Sequence, residues 1–525
     1  MASPLLFSPR VGNDCAKGNM AHDIIIGMAG SGGDGIVSAG ESMTAAATLE
    51  GYHAILTKSF GSQIRGGESS CRLRISTRHV RTPGGTLDMA VALNWDDFLR
   101  FGAELPVGGQ TTVIYDSATG IAPDRLPLGP IIPREALAVP LGEMARTHVG
   151  SEKGKNSVVM GLLAGFLGLP RDRILGGMRK KLEKKGAELF AANVKAFEAG
   201  VTWAQEHPLS GGARTLQPAP AGPLKMLVDG NDMCAAAAIF AGCSFFGGYP
   251  ITPSSEIMQF LGREIWKYGG GLIQAEDEIA GIGTALGASF AGKKALTATS
   301  GPGMALKSEI LGLATIAELP LVCVNVQRGG PSTGLPTKSE QADLYQAAFS
   351  AHGDAPRPVL APTCVADTFR LTVEAFNVAE HYQTPVILLS DQEIAQRKET
   401  VDPIDTSRFE IVNRREPAGS ELEPYHRFRL TDSGISPLSR PGLAGGNYLA
   451  SGIEHTESGA PTASGEVHAR MNEKRSRKLL PLQKRADLFQ TFGDPAAPLA
   501  LVAWGSLAGV GMDALELAHA EGLRV

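Results

Sequence analysis

Four short segments place polar residues where a strand should end and a helix begin. In Gly248-Tyr-Pro-Ile-Thr-Pro-Ser-Ser-Glu256 two prolines fix the backbone around Thr252. Its hydroxyl thus gains a rigid position ahead of a helix capped by Ser254 or Ser255, suited to orienting a carbonyl or carboxylate, although the same pattern also makes a well-built turn. Gln274-Ala-Glu-Asp-Glu278 introduces a helix of small and apolar residues. Successive helical residues point about 100° apart, so the three acids cannot share one target. Acids in a first turn often only serve the helix dipole. Glu278, however, shares its face with Ile282 and Ala285, and a carboxyl buried there is expected to keep its proton and act as a donor. Ser300-Gly-Pro-Gly303 follows a strand and lets a ligand approach backbone closely at Ser300 and Gly301. Arg328, before Gly-Gly-Pro-Ser-Thr-Gly-Leu-Pro-Thr337, has the planar fork that grips a carboxylate, or is a surface arginine after a strand.

Two further loops lie nearer the N-terminus. Gly30-Ser-Gly-Gly-Asp-Gly35 joins a strand to a helix, as a phosphate site would. The next strand ends in Thr57-Lys58 without the acid that a dinucleotide fold wants, so the loop is either an anion site or a purely structural turn. Gly33-Asp-Gly35 lacks the later Asn of a thiamine diphosphate metal motif. In Lys58-Ser-Phe-Gly-Ser-Gln-Ile-Arg-Gly-Gly-Glu68, Lys58 and Arg65 could hold an anion, or Arg65 could pair with a neighbouring carboxylate.

The elements that must carry these loops alternate strand and helix, which predicts an α/β protein with parallel sheet. Residues 1–21 read as a disordered leader, with Met1 or Met20 as the start; residues 22–207 form a first domain and 208–224 a Pro/Gly/Ala linker. Residues 225–402 form a second domain, with strands over 244–247, 272–275, 295–299, 319–327 and 385–390 and helices over 255–267, 278–290 and 304–314. Residues 403–494 are irregular and expected to wrap over other subunits; Leu499–Trp504 starts a strand and Ala508–Glu521 its helix, the opening of a truncated domain over 495–525. A net charge of −5 gives no sign of nucleic acid, and Lys474 to Lys478 reads as a solvated helix face. No stretch reaches the roughly 20 apolar residues of a membrane span, and no signal peptide is legible, so a cytoplasmic protein is expected. The six cysteines form no Cys-x-x-Cys pair, so no metal or cluster site is expected and most should be core residues.

Taken in order, Tyr249-Pro-Ile-Thr-Pro253, Gln274-Ala-Glu-Asp-Glu278, Thr299-Ser-Gly-Pro-Gly303 and Gln327-Arg-Gly-Gly-Pro-Ser-Thr-Gly-Leu-Pro-Thr337 resemble the α subunit of 2-oxoacid:ferredoxin oxidoreductases. Gly30–Gly35 and Phe60–Glu68 resemble the γ domain of that family, and Gly452-Ile-Glu-His455 and Lys474–Lys478 resemble other segments of the fused subunit. The resemblance implies a γ-type domain, a pyrimidine-type thiamine diphosphate domain and the start of a transketolase C-terminal-like domain. It implies that Glu278 pairs with the aminopyrimidine ring of thiamine diphosphate and that Thr252 and Arg328 orient the 2-oxoacid. Tyr249, Pro250, Ile251, Thr252, Ser300 and Gly301 would line the cofactor, with Lys58 and Arg65 candidates for coenzyme A. A β subunit would supply the diphosphate–Mg²⁺ site and a 4Fe-4S cluster, in an (αβ)₂ assembly that passes electrons to ferredoxin. The fused γ domain and the Gln63-Ile-Arg-Gly-Gly-Glu68 variant favour 2-oxoglutarate over pyruvate or branched 2-oxoacids. A non-catalytic nucleotide-binding or scaffold subunit is the reading from another class.

Overall fold

The computed structural model describes residues 20–61, 67–210 and 215–525; most of the leader, and Arg65, lie outside the described residues. The first part of the chain runs through β1 (Met20–Ala21), β2 (Asp23–Gly30), α1 (Ile36–Leu49), β3 (His53–Phe60), β4 (Ser69–Ser76), β5 (Met89–Ala92), α2 (Trp95–Arg100), β6 (Thr112–Asp116), β7 (Glu135–Val139), α3 (Leu141–Val149), α4 (Lys155–Leu167), α5 (Arg171–Leu182), α6 (Ala187–Glu206) and β8 (Thr215–Leu216). Alternation along β2 explains why its sheet is covered on both sides. Ile24, Ile26 and Met28 point into the core built with α1, α4 and α6, while Ile25 and Ala29 join Trp95 and Phe98 of α2 on the other face. Each such aliphatic side chain removed from water contributes about 1.5–3 kcal/mol.

The second part continues through β9 (Met226–Val228), α7 (Gly230–Phe240), β10 (Phe245–Gly248), α8 (Ser255–Glu264), β11 (Gly271–Gln274), α9 (Glu278–Phe290), β12 (Ala295–Thr299), α10 (Gly301–Leu306), α11 (Ser308–Ile316), β13 (Leu321–Gln327), α12 (Leu344–Phe349), β14 (Val359–Leu360), α13 (Val365–Tyr382), β15 (Pro385–Asp391), α14 (Gln392–Gln396) and β16 (Lys398–Val401). The expected helix over 304–314 divides at Lys307, between α10 and α11. Six strands form one all-parallel sheet in the order β11-β10-β12-β13-β15-β14. The near-continuous apolar runs of β13 and β15 fit that position, since every residue of both strands is buried.

The chain does not divide cleanly at the expected boundaries. β9 and β16 leave the second unit and extend the first sheet, whose order is β7-β6-β5-β2-β4-β3-β16-β9. β16 pairs antiparallel with β3, and Thr400 Oγ1 accepts the Ala54 N–H at 2.8 Å, so a ladder joins the two units. The segment read as a linker is tied down as well. β8 pairs with β1, Leu216 is buried, and the Tyr52 hydroxyl donates to the Gln217 carbonyl at 2.9 Å. Composition alone signalled a flexible tether there, and a two-residue ladder leaves too little pattern to see.

Beyond β16, residues 403–494 are irregular except for α15 (Gly465–Arg477) and short turns, and they wrap over the chain's own second unit. The basic run at 474–478 is not a solvated face. Lys474 and Lys478 are buried, with Nζ atoms 2.5 and 3.0 Å from the two carboxylate oxygens of buried Glu318, and Arg475 is buried against Glu454. The cations hold Glu318 far below the usual carboxylate range despite its burial. Residues 499–504 form no strand, because none of the described strands runs beside them to share a ladder, and Val502 is 96% exposed. The helix after them, α16 (Leu507–Ala520), docks through Asp513 and Glu516 on Arg81.

Candidate active site

In a parallel sheet, the crevice forms where neighbouring strands lead to opposite sides. Here the chain leaves β10 for β11 on one side, and β12 leads to β13 on the other. β10 and β12 pair only over Phe245↔Ala295 and Phe246↔Leu296, so their carboxyl ends part. The loop Tyr249–Ser254 leaves one lip of that gap and Ser300–Gly303 the other.

Glycine lets the acid-bearing helix reach the gap. A Cβ on Gly281 of α9 would stand 2.9 Å from the Gly248 Cα of β10, inside any allowed contact. A Cβ on Gly303 would clash with Thr299 Oγ1 and stand 2.7 Å from Glu278 Cγ. Glu278 therefore lies over the end of β12, against the 300–303 loop. The three acids divide as their spacing demands. Glu276 is exposed, Asp277 caps α9 by accepting the Ala280 N–H at 2.8 Å, and Glu278 is only 8% exposed, beside fully buried Ile282 and Ala285.

Arg328 and Thr252 also meet. Arg328 is 7% exposed; Nη1 donates to the Thr252 carbonyl at 2.5 Å, Nη2 to the Thr333 carbonyl at 3.0 Å, and Nε has no partner among the described residues. Burial pulls its pKa down, and the Asp343 carboxylate opposes that. The Thr252 loop is clamped from below, where Asn231 Nδ2 donates to the Pro253 carbonyl at 2.7 Å. Ser254 does not cap α8, for its hydroxyl donates to the Ile251 carbonyl at 3.0 Å. Tyr249 is 38% exposed at the mouth, with Pro250 and Ile251 half-buried behind it.

Ser300 is fully buried and its Oγ has no partner among the described residues. Under Gly301 lies a polar group that motif reading missed. Asp343 accepts from Asn325 Nδ2 at 3.0 Å, and its N–H donates to Gln327 Oε1 at 3.0 Å. Burial pushes the Asp343 carboxyl up, and the Asn325 hydrogen bond works against that. The available signal was Asn325 and Gln327 at alternate positions of an otherwise apolar strand.

The N-terminal candidates separate. Lys58 stands 3.6 Å from Glu41 and lines a cavity of about 350 Å³ with Arg72, Lys338, Glu104, Glu393 and Arg397. The wall is shared, since Lys338 Nζ donates to Ser59 Oγ at 2.6 Å and Thr337 Oγ1 to the Phe60 carbonyl at 3.3 Å. The glycine loop after β2 is closed upon itself. The Ser31 N–H donates to Asp34 Oδ2 at 2.9 Å and its hydroxyl to Asp97 Oδ2 at 2.5 Å. Two carboxylates on those donors favour the structural turn over an anion site. Burial pushes the Cys71 and Cys243 thiols up to about 12, and those of Cys234, Cys323 and Cys364 to about 11, as core thiols. No helix among the described residues is long and apolar enough to cross a membrane.

The residues at the gap fit the pyrimidine half of thiamine diphosphate. They are a sheltered carboxyl, an unspent buried hydroxyl and a glycine whose side chain would fill the space, which suit a flat ring with hydrogen-bonding nitrogens. Fold and site thus define a thiamine-dependent α/β enzyme subunit. Residues 236–474 match the thiamine diphosphate-binding model of pyruvate flavodoxin/ferredoxin oxidoreductases, and residues 25–203 match the pyruvate ferredoxin/flavodoxin oxidoreductase model. The chain is 33% identical to the 2-oxoglutarate oxidoreductase subunit KorA of Mycobacterium tuberculosis, over 96% of this chain and 81% of that protein. It is 43% identical to the 2-oxoglutarate synthase subunit KorA of Methanocaldococcus jannaschii, over 46% of this chain and 65% of that protein. The solved 2-oxoglutarate:ferredoxin oxidoreductase from Magnetococcus marinus, with 2-oxoglutarate, coenzyme A and succinyl-CoA bound, superposes with a TM-score of 0.88 at 37% identity, covering 96% of this chain and 87% of that one. The chain belongs to the 2-oxoacid:ferredoxin oxidoreductase α-subunit family, and its N-terminal part matches the oxidoreductase model found beside the thiamine domain.

Proposed function

We propose that this subunit presents the pyrimidine-facing half of a thiamine diphosphate site and that its complex oxidatively decarboxylates 2-oxoglutarate with coenzyme A and ferredoxin. One observation carries the reading: a buried carboxyl, Glu278, over the gap where β10 and β12 part. When bound, thiamine diphosphate supplies the nucleophilic carbon and the electron sink for loss of CO₂. The chain's own part is to set the Glu278 carboxyl against the ring, with Ile282 and Ala285 keeping water away. Ser300 Oγ offers the unspent donor, and Tyr249, Pro250, Ile251 and Gly301 form the lips. Arg328, braced on the Thr252 and Thr333 carbonyls, keeps Nε for the 2-oxoacid carboxylate beside Thr252.

A β subunit would supply the diphosphate–Mg²⁺ site and the 4Fe-4S cluster, in an (αβ)₂ assembly in the cytoplasm. Coenzyme A would take the acyl group, with Lys58 and Arg65 the candidates to meet it. The cavity beside Lys58 supports that, for both units build its wall. The names of the relatives and the ligands of the solved neighbour support 2-oxoglutarate over pyruvate.

The test is a substrate panel on the chain purified with its partner, given thiamine diphosphate, Mg²⁺ and coenzyme A, with a viologen dye as acceptor. The expected result is a higher kcat/KM for 2-oxoglutarate than for pyruvate; a preference for pyruvate overturns the substrate assignment. Glu278→Gln should abolish dye reduction while the complex still assembles, and a scaffold subunit would tolerate it.

A further inference from the structure

Lys307 is fully buried, and no carboxylate of the described residues lies within ion-pair distance of its Nζ. Its ammonium donates instead to the Glu278 backbone carbonyl at 3.0 Å and to Thr297 Oγ1 at 3.1 Å. The residue stands at the joint between α10 and α11, six residues after Gly301, so one side chain ties the cofactor loop, β12 and the first turn of α9. Burial pulls its pKa down. The titratable groups that face it are the Cys323 thiol of β13 and Glu278 and Asp277 of α9, all of which oppose that pull; Arg357 faces the same thiol from beyond. A cation near a helix N-terminus opposes the macrodipole, and an unpaired buried ammonium costs several kcal/mol of desolvation. An apolar residue of similar length would avoid both costs.

We infer that Lys307 is a positioning residue for the thiamine site, fixing the first turn of α9 so that Glu278 faces the ring and setting a positive potential under the contact between them. This rests on the assignment of Glu278 to the aminopyrimidine. The carbonyl contact fixes direction: α9 cannot rotate about its axis without breaking the Lys307–Glu278 bond. The charge has a separate effect, because removing a nearby cation makes protonation of a shared site easier at every pH.

The experiment compares wild type, Lys307→Met, Lys307→Gln and Glu278→Gln, each purified as the complete complex. Thiamine diphosphate affinity is measured by quenching of protein fluorescence. The tautomer of the bound aminopyrimidine is followed by circular dichroism across pH, and kcat by dye reduction. For Lys307→Met the tautomer midpoint should move up by about one pH unit, and kcat should fall at least about tenfold. Lys307→Gln keeps a donor without the charge, and should recover part of kcat but none of the midpoint shift. An unmoved midpoint in an assembled Lys307→Met complex overturns the inference. Failure of both Lys307 variants to assemble overturns it too, since the residue would then serve the fold alone. If Glu278→Gln leaves the dichroism unchanged, the Glu278 assignment fails instead, and that result is independent of Lys307.

Discussion

Two loops of this molecule have the same plan: a buried strand, a serine, glycines, then a helix. After β2 the loop spends its donors on itself, Ser31 giving its N–H to Asp34 and its hydroxyl to Asp97. After β12 the corresponding serine is deeper, fully buried where Ser31 is half-buried, yet Ser300 Oγ has no partner among the described residues, and a polar group of Asp343, Asn325 and Gln327 lies under the turn. A glycine-rich strand-to-helix turn is therefore not a site by its sequence. What separates the two is whether the buried donors are already satisfied and whether the adjoining strands part. β2 stays paired with β4 up to Gly30↔Ser69, whereas β10 and β12 separate after two residues.

The largest expected effect uses the glycines. Gly303→Val pushes a side chain into Thr299 and Glu278, and a displacement of about 1 Å at the reacting groups should cost roughly 100-fold in kcat. Gly33→Ala meets nothing within 4 Å, but its φ of +102° strains any side chain, so stability should fall by about 1–2 kcal/mol with turnover unchanged. Dye-reduction assays and thermal melts of the two variants check this. Equal kinetic effects would break the contrast between the loops.

The serines sharpen it. Ser300→Ala should weaken thiamine diphosphate binding by about five- to tenfold, the value of one hydrogen bond of about 1 kcal/mol, with no loss in melting temperature. Ser31→Ala should do the reverse, losing about 1 kcal/mol of stability with unchanged cofactor affinity. Fluorescence titration with cofactor and a urea series on each variant measure both quantities.

Much of this was legible in the residues, and the failures share a cause. The strands of the second sheet and α9 follow from apolar runs broken by glycine and proline, and the four motifs sit at strand ends as their spacing implied. The division among Glu276, Asp277 and Glu278 also follows, because a helix turns each residue by a fixed angle. The contacts that decide the rest are long-range. β16 joins β3 across about 340 residues, and Lys474 and Lys478 find Glu318 about 160 residues away, so a basic run that looked solvated is interior. Lys307 and Asp343 carry no local pattern, and only the folded sheet brings them beneath the candidate site.

The smallest expected effect concerns the seam that joins the units. Burial pulls the His53 imidazole at the start of β3 down to about 4, near Lys225, His79 and Asp402. Its folded pKa is below the unfolded value of about 6.5, so its contribution is intact above pH 6.5 and is lost as pH falls toward 4. Because the ring is only half-buried, the loss should be no more than about 1 kcal/mol. Denaturation of wild type and His53→Gln at pH 7 and pH 5 should show the smaller difference in the variant.

The most direct measurement is an experimental structure of the chain assembled with its partner and loaded with thiamine diphosphate. A Glu278 carboxyl about 2.6–3.2 Å from a ring nitrogen of the aminopyrimidine, shielded by Ile282 and Ala285, is the expected result. A cofactor bound elsewhere, with Glu278 turned to solvent, would contradict it.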